Sequence, residues 1–322
     1  MIPRLRFAHL PTPVDPLPRL SQVLGGPRLL VKRDDQTGLA FGGNKTRKLE
    51  FLMAEAQEMG AKTLISAGAL QSNHCRQTAA AAARFGMECI LVLTGKTEET
   101  PSANFMLDTL FGAQIIHVVG RAGRDRVLQE TFETDSREGK KPYLVPYGGS
   151  SPTGALGYVY AVEEVMQQNV DANWFVFGSS SGGTHAGLTL GQRCFNYPGR
   201  CSASASTNRG AVCRSMWSHS LRKPAKKLAR GSSWAPEDVL VNADYCKAGY
   251  SILTDAEREA VGLFARYEGL PLDPVYTGRA AAGLIDLIRK DFFKKDETFL
   301  FWHTGGQPAL FADRYQSVVT TS

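Results

Sequence analysis

The 322 residues suffice for two domains or one large α/β unit, and 43% hydrophobic with 21% charged residues is ordinary for a folded chain. No apolar run approaches the roughly 20 residues of a membrane helix, Met1-Ile-Pro-Arg-Leu-Arg-Phe7 lacks the apolar core of a secretory signal, and six cysteines without a CxxC pair argue against a disulfide framework or a zinc site, so a cytoplasmic location is expected. The net charge of +6 hints at nucleic acid, but nine of the 37 Lys and Arg residues lie between Gly191 and Pro236, where no Asp or Glu occurs; the other 28 stand against 31 acidic residues, so there is no patterned basic face and neither a nucleic-acid nor a membrane partner is expected.

In chain order, Leu29-Leu-Val31 reads as a buried strand. Lys45 to Met59 reads as a helix whose Leu49, Leu52, Met53 and Ala56 recur at three-and-four spacing on one face. Between them, Gly42 and Gly43 let the backbone turn sharply and pass close to a ligand. Asn44 suits an N-cap and puts Lys45 at the helix mouth, where the positive end of the dipole lowers the cost of losing a proton. With Arg47 and Lys48 adding like charge, Lys45 reads either as a solvated surface residue or as an amine that forms a Schiff base. A nucleotide phosphate loop is rejected, because Asn44 stands between Gly43 and Lys45-Thr46 and shifts the register by one.

Strand-like and helix-like segments then alternate. Thr63 to Ser66, Glu88 to Leu93, Gln114 to Val119, Pro142 to Val145 and Trp174 to Phe177 read as strands; Ser72 to Phe85, Ala103 to Phe111, Asp125 to Glu138 and Pro152 to Gln168 read as helices. Such alternation predicts parallel strands with crossover helices, hence a doubly wound α/β architecture, with ligands beyond the carboxyl ends of strands. Two strand-to-helix turns carry candidate binding groups. In Ser66-Ala-Gly-Ala-Leu-Gln-Ser-Asn-His74, Ser72 and Asn73 either simply cap the helix or hold a carboxylate at its N-terminus. In Phe177-Gly-Ser-Ser-Ser-Gly-Gly-Thr-His185, glycines, hydroxyls and a helix start are what a phosphate needs. The dinucleotide fingerprint GxGxxG is absent, so NAD is not expected.

After Asp238, Val239 to Val241 is strand-like, Asp255 to Gly269 and Gly278 to Arg289 are helical, and Leu300-Phe-Trp302 is a strand ending in His303-Thr-Gly-Gly306. Tyr250 and Tyr276 stand near turn glycines, though tyrosine is commonly a core residue. His74, His185 and His303 lie at turns with no metal-binding spacing and read as structural or site-lining.

A lysine at a glycine turn, a Ser-Asn helix start and a Ser-Gly-Gly-Thr loop together suit pyridoxal phosphate: amine for aldehyde, loop for phosphate, hydroxyl or carboxylate for the ring nitrogen. Gly42-Gly-Asn-Lys-Thr-Arg-Lys-Leu-Glu50 and Gln71-Ser-Asn73 resemble, with high specificity, the pyridoxal-phosphate enzymes that comprise 1-aminocyclopropane-1-carboxylate deaminase and D-cysteine desulfhydrase. The resemblance runs over residues 1 to about 195 and about 235 to 315. It implies a tryptophan-synthase-β-like fold (pyridoxal-phosphate fold type II), with a small domain of residues 46–155 on a large domain of 1–45 and 156–322, and commonly a homodimer. It implies that Lys45 carries the cofactor and moves protons at the substrate's Cα. Lys48 and Ser181, Gly182, Gly183 and Thr184 would hold the phosphate, Asn73 the ring's 3′ oxygen, Ser72 the carboxylate of a small amino-acid substrate, with Tyr250 and Tyr276 flanking it.

Within that group the deaminases carry a glutamate where this chain has Thr277, and read His-Leu-Gly-Gly where it has His303-Thr-Gly-Gly306. Thr304 at the ring nitrogen gives a weaker electron sink than a carboxylate, enough to expel a good leaving group. The resemblance therefore implies a carbon–sulfur lyase that turns D-cysteine into pyruvate, hydrogen sulfide and ammonia; the alternatives are the cyclopropane deaminase, an L-cysteate sulfo-lyase, or a non-catalytic or damaged member. From about Cys201 to Trp234 the family pattern disappears, then resumes with its spacing almost unchanged. Compensating reading-frame shifts or a divergent insertion would both leave that mark, and the first predicts a core strand and helix without their apolar face.

Overall fold

The computed structural model describes residues 2–95, 100–205 and 240–318. Among them two sheets form, a six-stranded one in the order β1-β2-β10-β7-β8-β9 and a four-stranded one in the order β5-β4-β3-β6. The larger uses β1 (Val14–Pro16), β2 (Arg28–Lys32), β7 (Trp174–Ser179), β8 (Arg200–Ala205), β9 (Leu240–Asn242) and β10 (Thr298–Trp302). All its pairings are parallel except β1 on β2, an antiparallel edge. The smaller uses β3 (Thr63–Ala69), β4 (Glu88–Thr94), β5 (Gln114–Val118) and β6 (Pro142–Leu144), all parallel. This is the α/β architecture with parallel sheets that the alternation predicts.

Central strands read as continuous apolar runs because both faces are covered. Phe299 and Phe301 of β10 pack, with Leu29, Val31 and Val176, against α1 (Pro18–Leu24), α8 (Asp255–Glu268) and α9 (Thr277–Arg289). Alternate residues Leu300 and Trp302 join Phe175 and Phe177 on the opposite face, under α6 (Pro152–Gln167) and α7 (Gly183–Cys194), as the two-residue period of a strand requires. In the smaller sheet, Leu64, Leu91 and Leu93 meet α2 (Asn44–Glu58) and α3 (Asn73–Arg84) through Leu49, Leu52, Met53, Ala79 and Ala81.

Two helix starts differ from the sequence expectation. Helix α5 spans Gly120–Arg137, five residues earlier than Asp125. Gly43, not Asn44, is the cap residue of α2, with no side-chain cap bond; Asn44 Nδ2 instead donates across to Thr184 Oγ1 at 3.0 Å. The anomalous window also changes at its start. Residues 200–205 form β8, paired with β7 and β9, and Cys201 and Ala203 pack beside Phe175, Phe177 and Leu188. That strand therefore keeps an apolar face, made of small side chains; the rest of the window, from 206, lies outside the described residues.

A buried charge cluster ties α2 to the larger sheet. Asp34, fully buried, accepts from Arg47 Nε (2.9 Å) and Nη2 (2.8 Å), Tyr158 Oη (2.6 Å), Trp302 Nε1 (2.7 Å) and Thr12 Oγ1 (2.9 Å). Glu164 of α6 takes Arg47 from the other side at 2.9 Å and Lys32 at 2.6 Å. Each carboxylate is held below its ordinary range despite burial, by Arg47 and Lys32. Arg47 is thereby fixed at both ends, and with it the first turn of α2.

Candidate active site

Four turns meet at the carboxyl ends of β2, β3, β7 and β10, where an open parallel sheet presents its ligand groups. They enclose a cavity lined by Lys45, Ser72, Asn73, Ser181, Gly182, Thr184, Tyr276 and Thr304 among others. Eight of the residues singled out from the sequence are thus brought together from segments as much as 259 positions apart.

The turns are locked to one another. The Asn44 N–H donates to Thr304 O at 2.9 Å and the Gly43 N–H to Asp34 O at 2.9 Å. Gly305 (φ +82°) approaches so closely that an added Cβ would lie 2.6 Å from Gly43 Cα, a position only glycine occupies without strain. His303, fully buried, closes the second turn: its Nδ1 accepts the Gly305 N–H at 3.2 Å, and Nε2 lies 3.2 Å from Pro271 O. Thr304 is therefore presented to the cavity by a turn with little freedom.

Lys45 is half-buried in this wall, and no described residue hydrogen-bonds or ion-pairs with its amine. Burial brings that amine down to about 8, from the usual 10.5. Arg47 does not add the like charge expected from the sequence: it is turned to Asp34 and Glu164, which match its charge. Desolvation is what keeps Lys45 nucleophilic.

Lys48 is also placed differently. It lies outside the cavity lining, and its Nζ donates to Gly148 O at 3.1 Å; burial first and Lys45 second push its amine well below the ordinary range. It braces the Tyr147–Gly149 turn beside the anion cradle. Gly183 likewise directs its N–H to Ser150 Oγ at 3.1 Å, and Ser150 Oγ sits 2.7 Å from Ser181 Oγ. The cradle that remains is the start of α7 with Gly182 in the left-handed region (φ +82°) and the Ser181 and Thr184 hydroxyls, a helix N-terminus suited to an anion.

Asn73 has its amide orientation set by its neighbours. Its Oδ1 accepts from Arg76 Nη1 at 3.1 Å and Asn104 Nδ2 at 2.9 Å, so Nδ2 is the group offered to a ligand oxygen. Ser72 caps α3, its Oγ accepting the Cys75 N–H at 3.2 Å. Tyr250 does not line the cavity; its hydroxyl stands 2.7 Å from that of Tyr276, which does. Burial raises both phenols, so both stay protonated at neutral pH. Thr277, the position that discriminates within the group, sends its hydroxyl to Asp273 Oδ1 at 2.7 Å and accepts the Asp273 N–H at 2.8 Å, so it shapes the Tyr276 turn from outside the cavity.

Of the three histidines placed at turns, His74 lines the cavity; its Nε2 meets Ser66 Oγ at 2.9 Å, and burial with the Lys45 and Lys48 amines holds it well below its ordinary range. His185 is buried against Phe177 and pushed down to about 3. Sequence reasoning passed over Tyr147 and Ser150. The signal was available: Tyr147-Gly-Gly149 is another glycine turn after a strand, and its glycines have φ +65° and +64°.

The arrangement fits pyridoxal phosphate on its own chemistry: an unpaired, desolvated amine, an outward amide donor, and a helix-start cradle with hydroxyls around one cavity. The family described as pyridoxal-phosphate-dependent enzyme matches residues 5–305. A crystal structure described as that of the ACC deaminase homologue is 37% identical, with a TM-score of 0.90 and 99% of this chain and 97% of that chain covered. At 16% identity, likeness in fold alone extends to a pyridoxal 5′-phosphate-dependent aspartate racemase (TM-score 0.68, 92% of this chain and 90% of that chain) and to threonine deaminase isoform 2 from Solanum lycopersicum (TM-score 0.66, 92% and 79%). The chain belongs to the pyridoxal-phosphate-dependent enzyme family, and its cofactor is pyridoxal 5′-phosphate.

Proposed function

We propose that the chain is a carbon–sulfur lyase in which D-cysteine and water give pyruvate, hydrogen sulfide and ammonia. The observation that carries this reading is the cavity wall: among the described lining residues none is acidic, and the His303–Gly306 turn offers the Thr304 hydroxyl. When bound, pyridoxal phosphate supplies an aldehyde for the amino group and a conjugated ring that delocalises the electron pair left at Cα. Thr304, unlike a carboxylate, does not favour a protonated ring nitrogen, which suits loss of sulfide better than cleavage of a carbon–carbon bond.

The other roles follow from the side chains. Lys45 would hold the cofactor, and its amine, near 8, is matched to taking and returning the proton at the substrate's Cα near neutral pH. The Ser72 hydroxyl, at the N-terminus of α3, binds the substrate carboxylate. Asn73 Nδ2 donates to the ring's 3′ oxygen, and the start of α7 with Ser181 and Thr184 receives the phosphate. Tyr276, protonated and backed by Tyr250, donates a hydrogen bond to the departing sulfur.

The second reading is deamination of 1-aminocyclopropane-1-carboxylate, favoured by the description of the 37%-identical relative. Sulfide and pyruvate released from D-cysteine, measured beside ammonia and keto acid from the cyclopropane amino acid, separate the two. The lyase reading expects sulfide; product from the cyclopropane substrate alone would overturn it.

A further inference from the structure

Tyr147 has no role in the residues assigned above, yet it lines the cavity while remaining 39% exposed, which puts its ring at the mouth. Three features fix it there. The turn that carries it is packed from below: a Cβ on Gly148 would lie 2.3 Å from Ser181 Oγ, and one on Gly149 3.2 Å from the Lys48 stem. Hydrogen bonds close the same turn, from the Gly149 N–H to Pro146 O at 2.7 Å and from the Ser150 N–H to Tyr147 O at 3.2 Å. On the ring itself lies the Arg124 guanidinium of α5, 4.9 Å from the centroid, a cation–π contact. Arg124 is in turn fastened to Asp125 Oδ1 by Nε at 2.8 Å and Nη2 at 2.6 Å. The Tyr147 phenol is within electrostatic reach of both Tyr250 and Tyr276, so it stands on the side of the cavity where the substrate's side chain would point.

We propose that the Tyr147 ring, braced by Arg124, is the outer wall of the substrate site and restricts the enzyme to amino acids with a short side chain. Tyr147 is a specificity-determining residue and Arg124 the residue that positions it. A ring pinned between a glycine turn and a guanidinium cannot swing aside without losing both contacts. Each atom added to the substrate beyond the β-substituent must therefore displace it. The proposal deepens the lyase reading and rests on it only for the side on which the substrate's side chain lies.

The test is a binding series on the cofactor-loaded protein, read as the change in the cofactor's visible spectrum on titration with alanine, 2-aminobutyrate and norvaline, both enantiomers of each. In the wild type, alanine and 2-aminobutyrate, whose γ-carbon stands where the cysteine sulfur would, bind within about threefold of each other in the preferred enantiomer, and affinity falls by about tenfold at norvaline, whereas in Tyr147→Ala that fall shrinks to less than about threefold. Tyr147→Phe keeps the wild-type series, because the ring and its cation contact remain. Arg124→Met gives a series between the two, because the ring loses its brace. An equal loss of affinity for all three ligands in Tyr147→Ala, or a flattened series in Tyr147→Phe, overturns the wall. If D-cysteine yields no sulfide but the series behaves as stated, the lyase reading falls and the wall stands. If sulfide is released but Tyr147→Ala keeps the wild-type series, the wall falls and the lyase reading stands.

Discussion

The nucleophilicity of Lys45 is attributed to desolvation, and that has a measurable consequence. With its amine near 8, about one Lys45 in ten is neutral at pH 7, against about one in three thousand for an ordinary lysine near 10.5. The rate at which cofactor-free protein takes up pyridoxal phosphate should therefore rise with pH and level off above about pH 8. The informative perturbation is Lys48→Met. Burial is the cause of the lowered Lys45 amine, and the charge of Lys48 takes no part in it. Removing Lys48 should leave the Lys45 midpoint in place. The assay is a pH series of cofactor uptake followed by visible absorbance, on wild type and variant, with melting temperatures to confirm equal folding. A midpoint near that of free lysine, or a clear upward move in Lys48→Met, would refute the desolvation argument and restore the like-charge one.

Three further outcomes follow from the packing. Arg47→Met strands the buried Asp34 and part of Glu164, which costs about 3–5 kcal/mol and, at roughly 2–4 °C per kcal/mol, lowers the melting temperature on the order of 10 °C; calorimetry showing a change under about 1 °C would contradict it. Because Asp34 and Glu164 have folded-state values below their unfolded ones, their contribution is complete above the ordinary carboxylate range and is lost as pH falls through the lowered values. Melting temperature should then drop below about pH 4, and that drop should flatten in Arg47→Met. Gly305→Ala places a Cβ 2.6 Å from Gly43 Cα at a φ of +82°, parting the two locked turns; cofactor content after dialysis should fall, and unchanged content with an unchanged melting temperature would show that the turns can separate without cost.

Much of the fold was legible because its signals are local. The stripe of Leu49, Leu52 and Met53 on α2, the alanines of α3 and the apolar runs Phe175 to Phe177 and Phe299 to Trp302 each announce burial by spacing or composition. The turns were legible as ligand-facing because glycine, serine and asparagine gather at strand ends. What failed depends on partners distant in the chain. Asn44 looks like a helix cap, but Thr184, 140 positions away, takes its amide. Arg47 reads as a charge pressing on Lys45 until Asp34 and Glu164 are seen around it. The glycine turn of Tyr147 is visible in the sequence, but the cavity beside it and the Arg124 guanidinium over its ring are not.

The most direct test of the central claim, that the Lys45 amine is the covalent anchor, is borohydride reduction of the cofactor-loaded protein followed by peptide mass spectrometry. The account predicts the reduced pyridoxyl group on Lys45 and its absence from Lys48. Label on Lys48, or no stable label with Lys45 present and the cofactor bound, would contradict it.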